Sequence, residues 1–570
     1  MTVYTPPLAD IGFVLEHVAG MGAVTALPGL GHASPDVAAQ VLAEAGRLAA
    51  EVLAPLNTVG DRQGSVLENG IVRTPEGFAA AYRRFAEGGW NGLTVPEAWD
   101  GMDLPWTLSA AVTEMWHAAN LAFQLCPLLT QAAIEALLHH GTDAQKSLYL
   151  PKLVSGEWTG AMCLTEPQAG SDVGAVRTRA EPDGDAFRIH GQKIFITYGD
   201  HDMADNVVHL VLARLPGAPA GSKGISLFLV PKHLPDADGR AGRRNDMRVL
   251  KLEHKLGINA SPTCVMAYGE DEGAIGYLVG EPHAGMLCMF TMMNNARLAV
   301  GLEGLGIAER AYQQALAYAR ERVQGRIDGR PARLIDFADV RRMLLTMRAR
   351  IAAMRALSYV AATAVDRSQR HASPEQRRAA AGRVALLTPI CKAWCTDIAC
   401  EVTSLAVQVH GGMGFIEETG IAQHYRDARI TPIYEGTNGI QALDLAGRKL
   451  SMDDGGLPAA LFAEMHDELP GLPDADRLRP ALEALEQATT HLRRHPDAAQ
   501  AAASPYLRLF ASVLAAFLLA RGARGAGADR GSDWPQLSRF YNRHLLPPDL
   551  ALARVVAAGG EDLEIDALDH

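Results

Sequence analysis

The chain has little cysteine: 7 in 570 residues, and no two stand as Cys-x-x-Cys. Cys391, Cys395 and Cys400 fall close together, but within a helical pattern, where a free cysteine acts as a small buried apolar side chain. Neither a disulfide framework nor a thiolate metal centre is expected, and a reducing cytoplasm fits this usage. Basic charge is scarce as well. The 53 Lys and Arg against 65 Asp and Glu leave a net charge of −12, which disfavours a nucleic-acid or anionic-membrane surface. Met1–Pro7 lacks a basic start followed by an apolar stretch, so no signal peptide is expected. The most apolar late run, Phe510 to Ala520, is bounded by Arg508 and Arg521 and is too short to span a bilayer. It reads as a buried helix, and no membrane insertion is expected. No solenoid period is visible.

Hydrophobic residues are not scarce: at 48% they support packed globular structure. A chain of 570 residues exceeds one core, so roughly three or four domains are expected. Residues 1–157 carry helical periodicity, with candidates at Pro35–Leu53 and within Leu108–His140. Residues 158–281 change texture. Strand-like runs occupy Thr159–Leu164, Phe187–Ile196, Val207–Arg214, Ile225–Pro231 and Thr263–Tyr268, with Asp183-Gly184-Asp185 as a hairpin turn. Residues 282–451 return to long helices at Met292–Gln324, Phe337–Asp366 and Ala380–His410, which suggest a four-helix bundle closed by the segment after Gly439. A break rich in Asp, Gly and Pro opens residues 452–570, an additional helical unit with candidates at Leu478–Arg494, Tyr506–Arg521 and Trp534–His544. The expected class is a multidomain α+β protein.

Four segments carry the chemistry. In Ile433-Tyr434-Glu435-Gly436-Thr437-Asn438-Gly439, glycine is a poor helix former, so Glu435 belongs on a turn. A carboxylate shielded there has its pKa raised and can serve as a general base. Leu164-Thr165-Glu166-Pro167-Gln168-Ala169-Gly170-Ser171-Asp172 follows a strand. Its hydroxyls and backbone N–H groups suit a ring carbonyl or a pyrophosphate, although no Gly-x-Gly-x-x-Gly opens a helix here. In Lys193-Ile194-Phe195-Ile196-Thr197, strand alternation puts Phe195 and Thr197 on one side, where they can flank a flat ring. Gln408-Val409-His410-Gly411-Gly412-Met413-Gly414-Phe415 ends a helix with glycines that let a ligand approach the backbone. Each segment has a plainer reading when taken alone: a solvated turn glutamate, a loop, an ordinary sheet face, and a helix C-cap in which His410 only packs.

Thr-Glu-Pro-x-Ala-Gly-Ser-Asp, Lys-x-Phe-Ile-Thr, Gln-x-x-Gly-Gly-x-Gly-Phe and Tyr-Glu-Gly-Thr occur here in that order. Together they resemble the acyl-CoA dehydrogenase flavoproteins over about residues 40 to 450. The finer resemblance is to the long subgroup with an added C-terminal helical domain, which includes 3-methylmercaptopropionyl-CoA and broad-range fatty acyl-CoA dehydrogenases. It implies an N-terminal α domain, a central β domain and a four-helix domain. It also implies FAD as cofactor, an acyl-CoA as substrate, electron-transfer flavoprotein as acceptor, and a homo-oligomer, dimer or tetramer. Carried over by position, Glu435 is the base that removes the α-proton. Thr165 and Thr197 contact the flavin and Phe195 packs on it. Ser171 lies near the pyrophosphate or CoA. Asn294, Arg297, Tyr434 and Gly436 lie along the substrate. Arg322, Gln408 and Gly412 reach the FAD of a neighbouring subunit, and Thr437 binds FAD beside the base. Three positions depart from the pattern: Val323–Arg326 lacks the expected Phe, Phe337-Ala338 stands at a His-Gln-like pair, and Gly439 replaces a polar residue. An acyl-CoA oxidase on the same fold, a membrane-bound very-long-chain enzyme and a non-catalytic CoA-binding protein are the rival expectations.

Overall fold

Val207–Ala213 is apolar but for one histidine and buried along its whole length, the mark of a strand covered on both faces. It is an inner strand, next to the edge, in the sheet of a computed structural model that describes residues 3–527, 532–560 and 563. The chain divides into two units, Arg47–Leu104 with Ala119–Ala296, and Met1–Gly46 with Pro105–Ala118 and Arg297–His570.

The first unit holds helix α1 (Leu121–His140) and one eight-stranded sheet. The strands are β1 (Trp158–Cys163), β2 (Arg179–Asp183), β3 (Ala186–Thr197), β4 (Asn206–Arg214), β5 (Ile225–Pro231), β6 (Met247–Leu252), β7 (Thr263–Tyr268) and β8 (Ala274–Val279). Their order is β6-β7-β3-β8-β5-β4-β1, with β2 beside β3 and β4. β1 pairs with β4 in parallel, and the other neighbours along that order are antiparallel. The five strand-like runs of the sequence are all strands here. β2, β6 and β8 are additional, and they are the strands with exposed, charged or glycine-bearing positions that weaken the alternation signal. Asp183 pairs with Ala186, so Gly184-Asp185 forms the expected two-residue turn. Asn120 caps α1, its side chain accepting from the Phe123 amide at 3.0 Å. Gly160 lets α1 lie close on β1: a Cβ there would stand 2.5 Å from the Ala133 methyl.

The second unit is helical. Helix α2 (Gly285–Glu321) contributes to it from Arg297 onward. A hairpin of β9 (Val323–Ile327) and β10 (Arg330–Arg333) follows, then α3 (Ala338–Arg370), α4 (Pro374–His410), α5 (Ile421–Ala428) and α6 (Asn438–Leu443). Ser373 caps α4, with Pro374 as its first helical residue. Gly304 permits close packing of α2 on α4, since a Cβ there would stand 2.8 Å from the Cys395 carbonyl oxygen. The helix expected to run to Gln324 stops at Glu321, where the chain turns into the hairpin through Gly325 at φ +77°. Arg355 of α3 is fully buried between Glu114 at 2.9 Å and Glu309 at 2.9 Å, with the Tyr359 hydroxyl donating to Glu114 at 2.7 Å.

The C-terminal segment adds α7 (Ala475–Arg494) and α8 (Ala499–Ala526). The sequence expectation for α8, Tyr506–Arg521, was too short, because alanines prolong the helix at both ends. Its length therefore does not rule out a membrane span, as the sequence reading held: Leu121–His140 and Pro496–Ala526 are both long and apolar enough to cross one. Their apolar windows are 89% and 83% buried within the protein, as core helices are. Cys391 and Cys395 are buried and Cys400 is partly so, and among the described residues no His, Cys, Asp or Glu cluster could hold a metal.

Candidate active site

The helical unit builds its site around a turn that the sequence makes unavoidable. α5 ends at Ala428, and Thr437 starts α6 as its N-cap, accepting from the Ile440 amide at 3.3 Å. Between them Glu435 adopts φ +55° and Gly436 φ +83°. The left-handed region costs a residue with a Cβ about 1–2 kcal/mol, so other contacts must hold Glu435 there. Arg297 Nε donates to the Glu435 carbonyl at 3.4 Å, and Gln441 Nε2 donates to the Gly436 carbonyl at 3.3 Å. At Gly436 a Cβ would lie 2.7 Å from Gln441 Nε2, so a side chain there would displace that amide, and φ favours glycine. Asn438 pins the following residue: it accepts from Lys392 Nζ at 2.9 Å and donates to Asp397 at 2.7 Å and to the Ala393 carbonyl at 3.0 Å.

Burial raises the Glu435 carboxyl above the ordinary range, with Arg297 and Lys392 opposing. Beneath the turn lies a second carboxyl, Glu303 of α2, fully buried, which accepts a hydrogen bond from the Tyr434 hydroxyl. Burial pushes Glu303 up to about 8 against the pull of Tyr434. Burial likewise lowers Lys392 to about 8, with Glu303 and Glu435 pulling it back up. A carboxyl raised by desolvation beside buried cations is the arrangement expected of a general base.

The sheet unit carries the second group. Glu166 is 4% exposed and gathers the loop after β1 around itself. It accepts from the Arg177 amide at 2.7 Å, the Thr178 amide at 2.9 Å and hydroxyl at 2.6 Å, and Lys193 Nζ at 2.9 Å. Burial alone would raise its carboxyl, but Lys193, Thr178 and the Arg177 amide outweigh that and hold it at about 2. On β3 the simple alternation expected for Phe195 and Thr197 does not hold. Ile196 pairs with Cys264 and Lys193 with Met266, so Ile194 and Phe195 bulge opposite the single Val265. Phe195 sits at φ +59° and is 60% exposed. No hydrogen bond engages the hydroxyls of Thr165 or Thr197 among the described residues, and Ser171 is exposed.

The sequence-expected residues thus fall into three groups. Arg297, Tyr434, Glu435, Gly436 and Thr437 come together at the turn. Arg297, expected along the CoA, is 7% exposed and holds the Glu435 backbone. Tyr434, expected along the substrate, binds Glu303, and the Thr437 hydroxyl caps α6. Arg322, Gln408 and Gly412 are exposed at one end of the bundle, where the Tyr318 ring of α2 stacks on His410 of α4 at 4.3 Å. Gly411 terminates α4 at φ +58°. A Cβ at Gly412 would meet nothing within 4 Å. The Asn294 side chain lies outside the described residues. Sequence reasoning missed Glu303, Lys392 and Gln441. A lone acid in Leu302-Glu303-Gly304-Leu305 and a lone lysine in Ile390-Cys391-Lys392-Ala393-Trp394 were the available signals.

Comparison with known proteins gives this geometry its context. The N-terminal, middle and C-terminal domains of acyl-CoA dehydrogenases match residues 36–157, 161–269 and 283–450, and an acetyl-CoA dehydrogenase C-terminal-like domain matches residues 461–565. A 3-methylmercaptopropionyl-CoA dehydrogenase from Ruegeria pomeroyi is 47% identical over 93% of both chains. The broad-specificity linear acyl-CoA dehydrogenase FadE5 of Mycobacterium tuberculosis is 35% identical over 86% of this chain and 83% of its own. Among solved structures, Caenorhabditis elegans ACDH-11 in complex with C11-CoA has a TM-score of 0.80 at 21% identity, covering 100% of this chain and 97% of its own. An acyl-CoA dehydrogenase complexed with FAD from Bacillus anthracis has a TM-score of 0.75 at 22% identity, over 98% and 94% of the two chains. With a relative this similar along nearly its whole length, and with all three domains and the C-terminal extension matched in order, the chain belongs to the acyl-CoA dehydrogenase family of oxidoreductases.

Proposed function

We propose that the chain is an FAD-dependent dehydrogenase that converts an acyl-CoA to its trans-2-enoyl-CoA, with Glu435 as the base that takes the α-proton. The observation that carries this reading is the partly buried carboxyl of Glu435, held on a left-handed turn by Arg297 and Gln441. A base fixed in this way loses little orientational freedom when substrate arrives. Desolvation keeps its affinity for a proton high, and Arg297 and Lys392 oppose that rise.

FAD suits the residues of the sheet unit: an exposed aromatic at Phe195 and the hydroxyls of Thr165 and Thr197, which have no partner among the described residues. Phe195 would pack on the ring, Thr165 and Thr197 would hold its polar edge, and Ser171 would lie by the pyrophosphate or CoA. Bound there, FAD supplies the acceptor for the β-hydride. Arg322, Gln408 and Gly412 would complete the FAD site of a second subunit, so the working form is a homo-oligomer. Electrons then pass to electron-transfer flavoprotein, and the protein acts in the cytoplasm. The four-part division at residues 157, 281 and 451 belongs to the same reading.

For the substrate we favour 3-methylmercaptopropionyl-CoA, with straight-chain fatty acyl-CoAs as the neighbouring class, in keeping with the name of the 47% identical relative. Anaerobic bleaching of the bound flavin by a panel of acyl-CoAs tests both points. Fast bleaching by the methylthio substrate and slower bleaching by fatty acyl-CoAs is expected. Bleaching by neither class would overturn the reading, and stoichiometric peroxide in air without need of an acceptor would replace it with an oxidase.

A further inference from the structure

Glu303 is a carboxyl that touches no reacting atom, yet it is placed in the least hospitable position of its helix. It stands on α2, fully buried. Its Oε2 accepts from the Tyr434 hydroxyl, and its Oε1 has no partner among the described residues. An ionised carboxylate half-satisfied in this way is costly, whereas a neutral acid or an apolar side chain is not. Three groups act on it directly: Tyr434 and Glu435 on the turn and Lys392 on α4. Those three are faced in turn by Asp397 of α4 and Arg297 of α2 at Lys392, by Asp427 of α5 at Tyr434, and by Arg297 at Glu435. Lys392 is the cation that couples to both carboxyls.

The Glu435 backbone is strained and is held from its carbonyl side by Arg297 and Gln441. From the preceding side the holding contact is Tyr434, whose ring is tethered at its far end by Glu303. We propose that Glu303 is a positioning residue: through the Tyr434 hydroxyl it fixes the turn that carries the base, and together with Lys392 it sets the pH range over which Glu435 works. The inference rests on Glu435 being the base. It does not make Glu303 a second base, because no surface of its side chain is open. Near neutral pH Glu303 holds its proton and so places no negative charge beside Glu435. Above about pH 8 Glu303 and Lys392 lose protons as a coupled pair, and the positive field at Glu435 weakens to that of Arg297.

Glu303→Gln tests this in the flavin-loaded enzyme, since it keeps an acceptor for Tyr434 and removes the ionisation. The rate of flavin reduction is measured against pH by anaerobic stopped flow, and the protonated carboxyl C=O band is followed by infrared difference spectroscopy. At pH 7 the variant should keep its rate within about threefold, while its alkaline limb moves to lower pH because Lys392 has lost the carboxylate that helps hold its proton. A protonated-carboxyl band that titrates near pH 8 in the wild type should be absent from the variant. Tyr434→Phe, which cuts the tether and leaves the acid, should lower the rate at all pH values by about tenfold or more. An unchanged pH profile in Glu303→Gln, or the titrating band persisting there, would overturn the inference. If Glu303→Gln does not fold, Tyr434→Phe decides: the Tyr434 hydrogen bond holds the Glu303 carboxyl down, so a band that titrates at higher pH together with a lowered rate supports the proposal, and an unmoved band or an unmoved rate overturns it. Glu435→Gln separates the two claims. If it still reduces flavin, the base assignment fails; if it is inactive and the Glu303→Gln profile is unmoved, only the positioning role fails.

Discussion

At the scale of single residues, function depends on side chains whose neighbours oppose their natural preferences. Glu435 takes a φ that its Cβ disfavours, and Gly436 follows in the same region, where a Cβ would be strained and would crowd the Gln441 amide. Gly436→Ala should therefore destabilise the turn by about 1–3 kcal/mol, lowering the rate of flavin reduction more than acyl-CoA affinity. Near-normal rates in that variant would show that the turn has room to relax. The raised carboxyl of Glu435 also fixes a sign. As the proposed base Glu435 would act only when ionised, so the acid limb of flavin reduction should lie above the usual glutamate range and move upward on Lys392→Met, which removes an opposing cation. An acid limb that stays in place in Lys392→Met would contradict the assigned electrostatics. Glu435, Gly436 and Thr437 were legible in the sequence because glycine next to an acid breaks a helix. Glu303 and Lys392 were not, because a charge in an apolar run reveals that it is buried only when its partners on other helices are known.

At the scale of elements, the loop after β1 depends on one buried carboxylate. Glu166 ties the loop to β3 through Lys193 and to the start of β2 through Thr178. Its carboxyl is held at about 2, below its unfolded value, so its stabilising contribution is complete above about pH 4.5 and is lost as pH falls from there towards 2. Glu166→Ala leaves the Lys193 ammonium buried and unpaired and should cost about 3 kcal/mol or more. Denaturant titrations at pH 7 and pH 3 check this: the wild type should lose stability at pH 3, and the variant should lose less. Equal losses would assign the acid sensitivity to other groups. The sequence showed this loop's hydroxyls but not its anchor, since Glu166 looks like any loop acid until five donors converge on it: the Arg177 amide, the Thr178 amide and hydroxyl, Lys193 and Gln168. Strand alternation similarly placed β3 correctly and failed at Phe195, because a bulge against β7 is a property of two strands and cannot be read from one. The β9–β10 hairpin was missed for a different reason: its Gly325 and Asp328-Gly329 turn signals sit inside an arginine-rich stretch that also suits the end of a helix.

At the scale of the whole molecule, apolar periodicity made the helical segments and the break near residue 452 legible, and pairing order in the sheet was not, since it depends on contacts far apart in the chain. The C-terminal helix α8 is joined to the bundle by Arg508, which bonds Glu401 of α4 at 2.6 Å and Asp549 at 2.9 Å, and by a buried apolar stripe that includes Leu514, Phe517 and Leu518. Phe517 is 1% exposed, so Phe517→Asp should cost about 3 kcal/mol or more and lower the thermal midpoint without creating membrane affinity. Robust co-flotation of the wild-type protein with liposomes would favour a membrane-associated role for this helix instead. The account as a whole turns on one proton and one carboxylate. Glu435→Gln preserves the shape of the turn and removes its basicity, and anaerobic stopped-flow reduction of the bound flavin by acyl-CoA measures the consequence directly. The predicted result is retained flavin and acyl-CoA binding with a reduction rate lowered by about a thousandfold or more; reduction at a rate near that of the wild type would contradict the account.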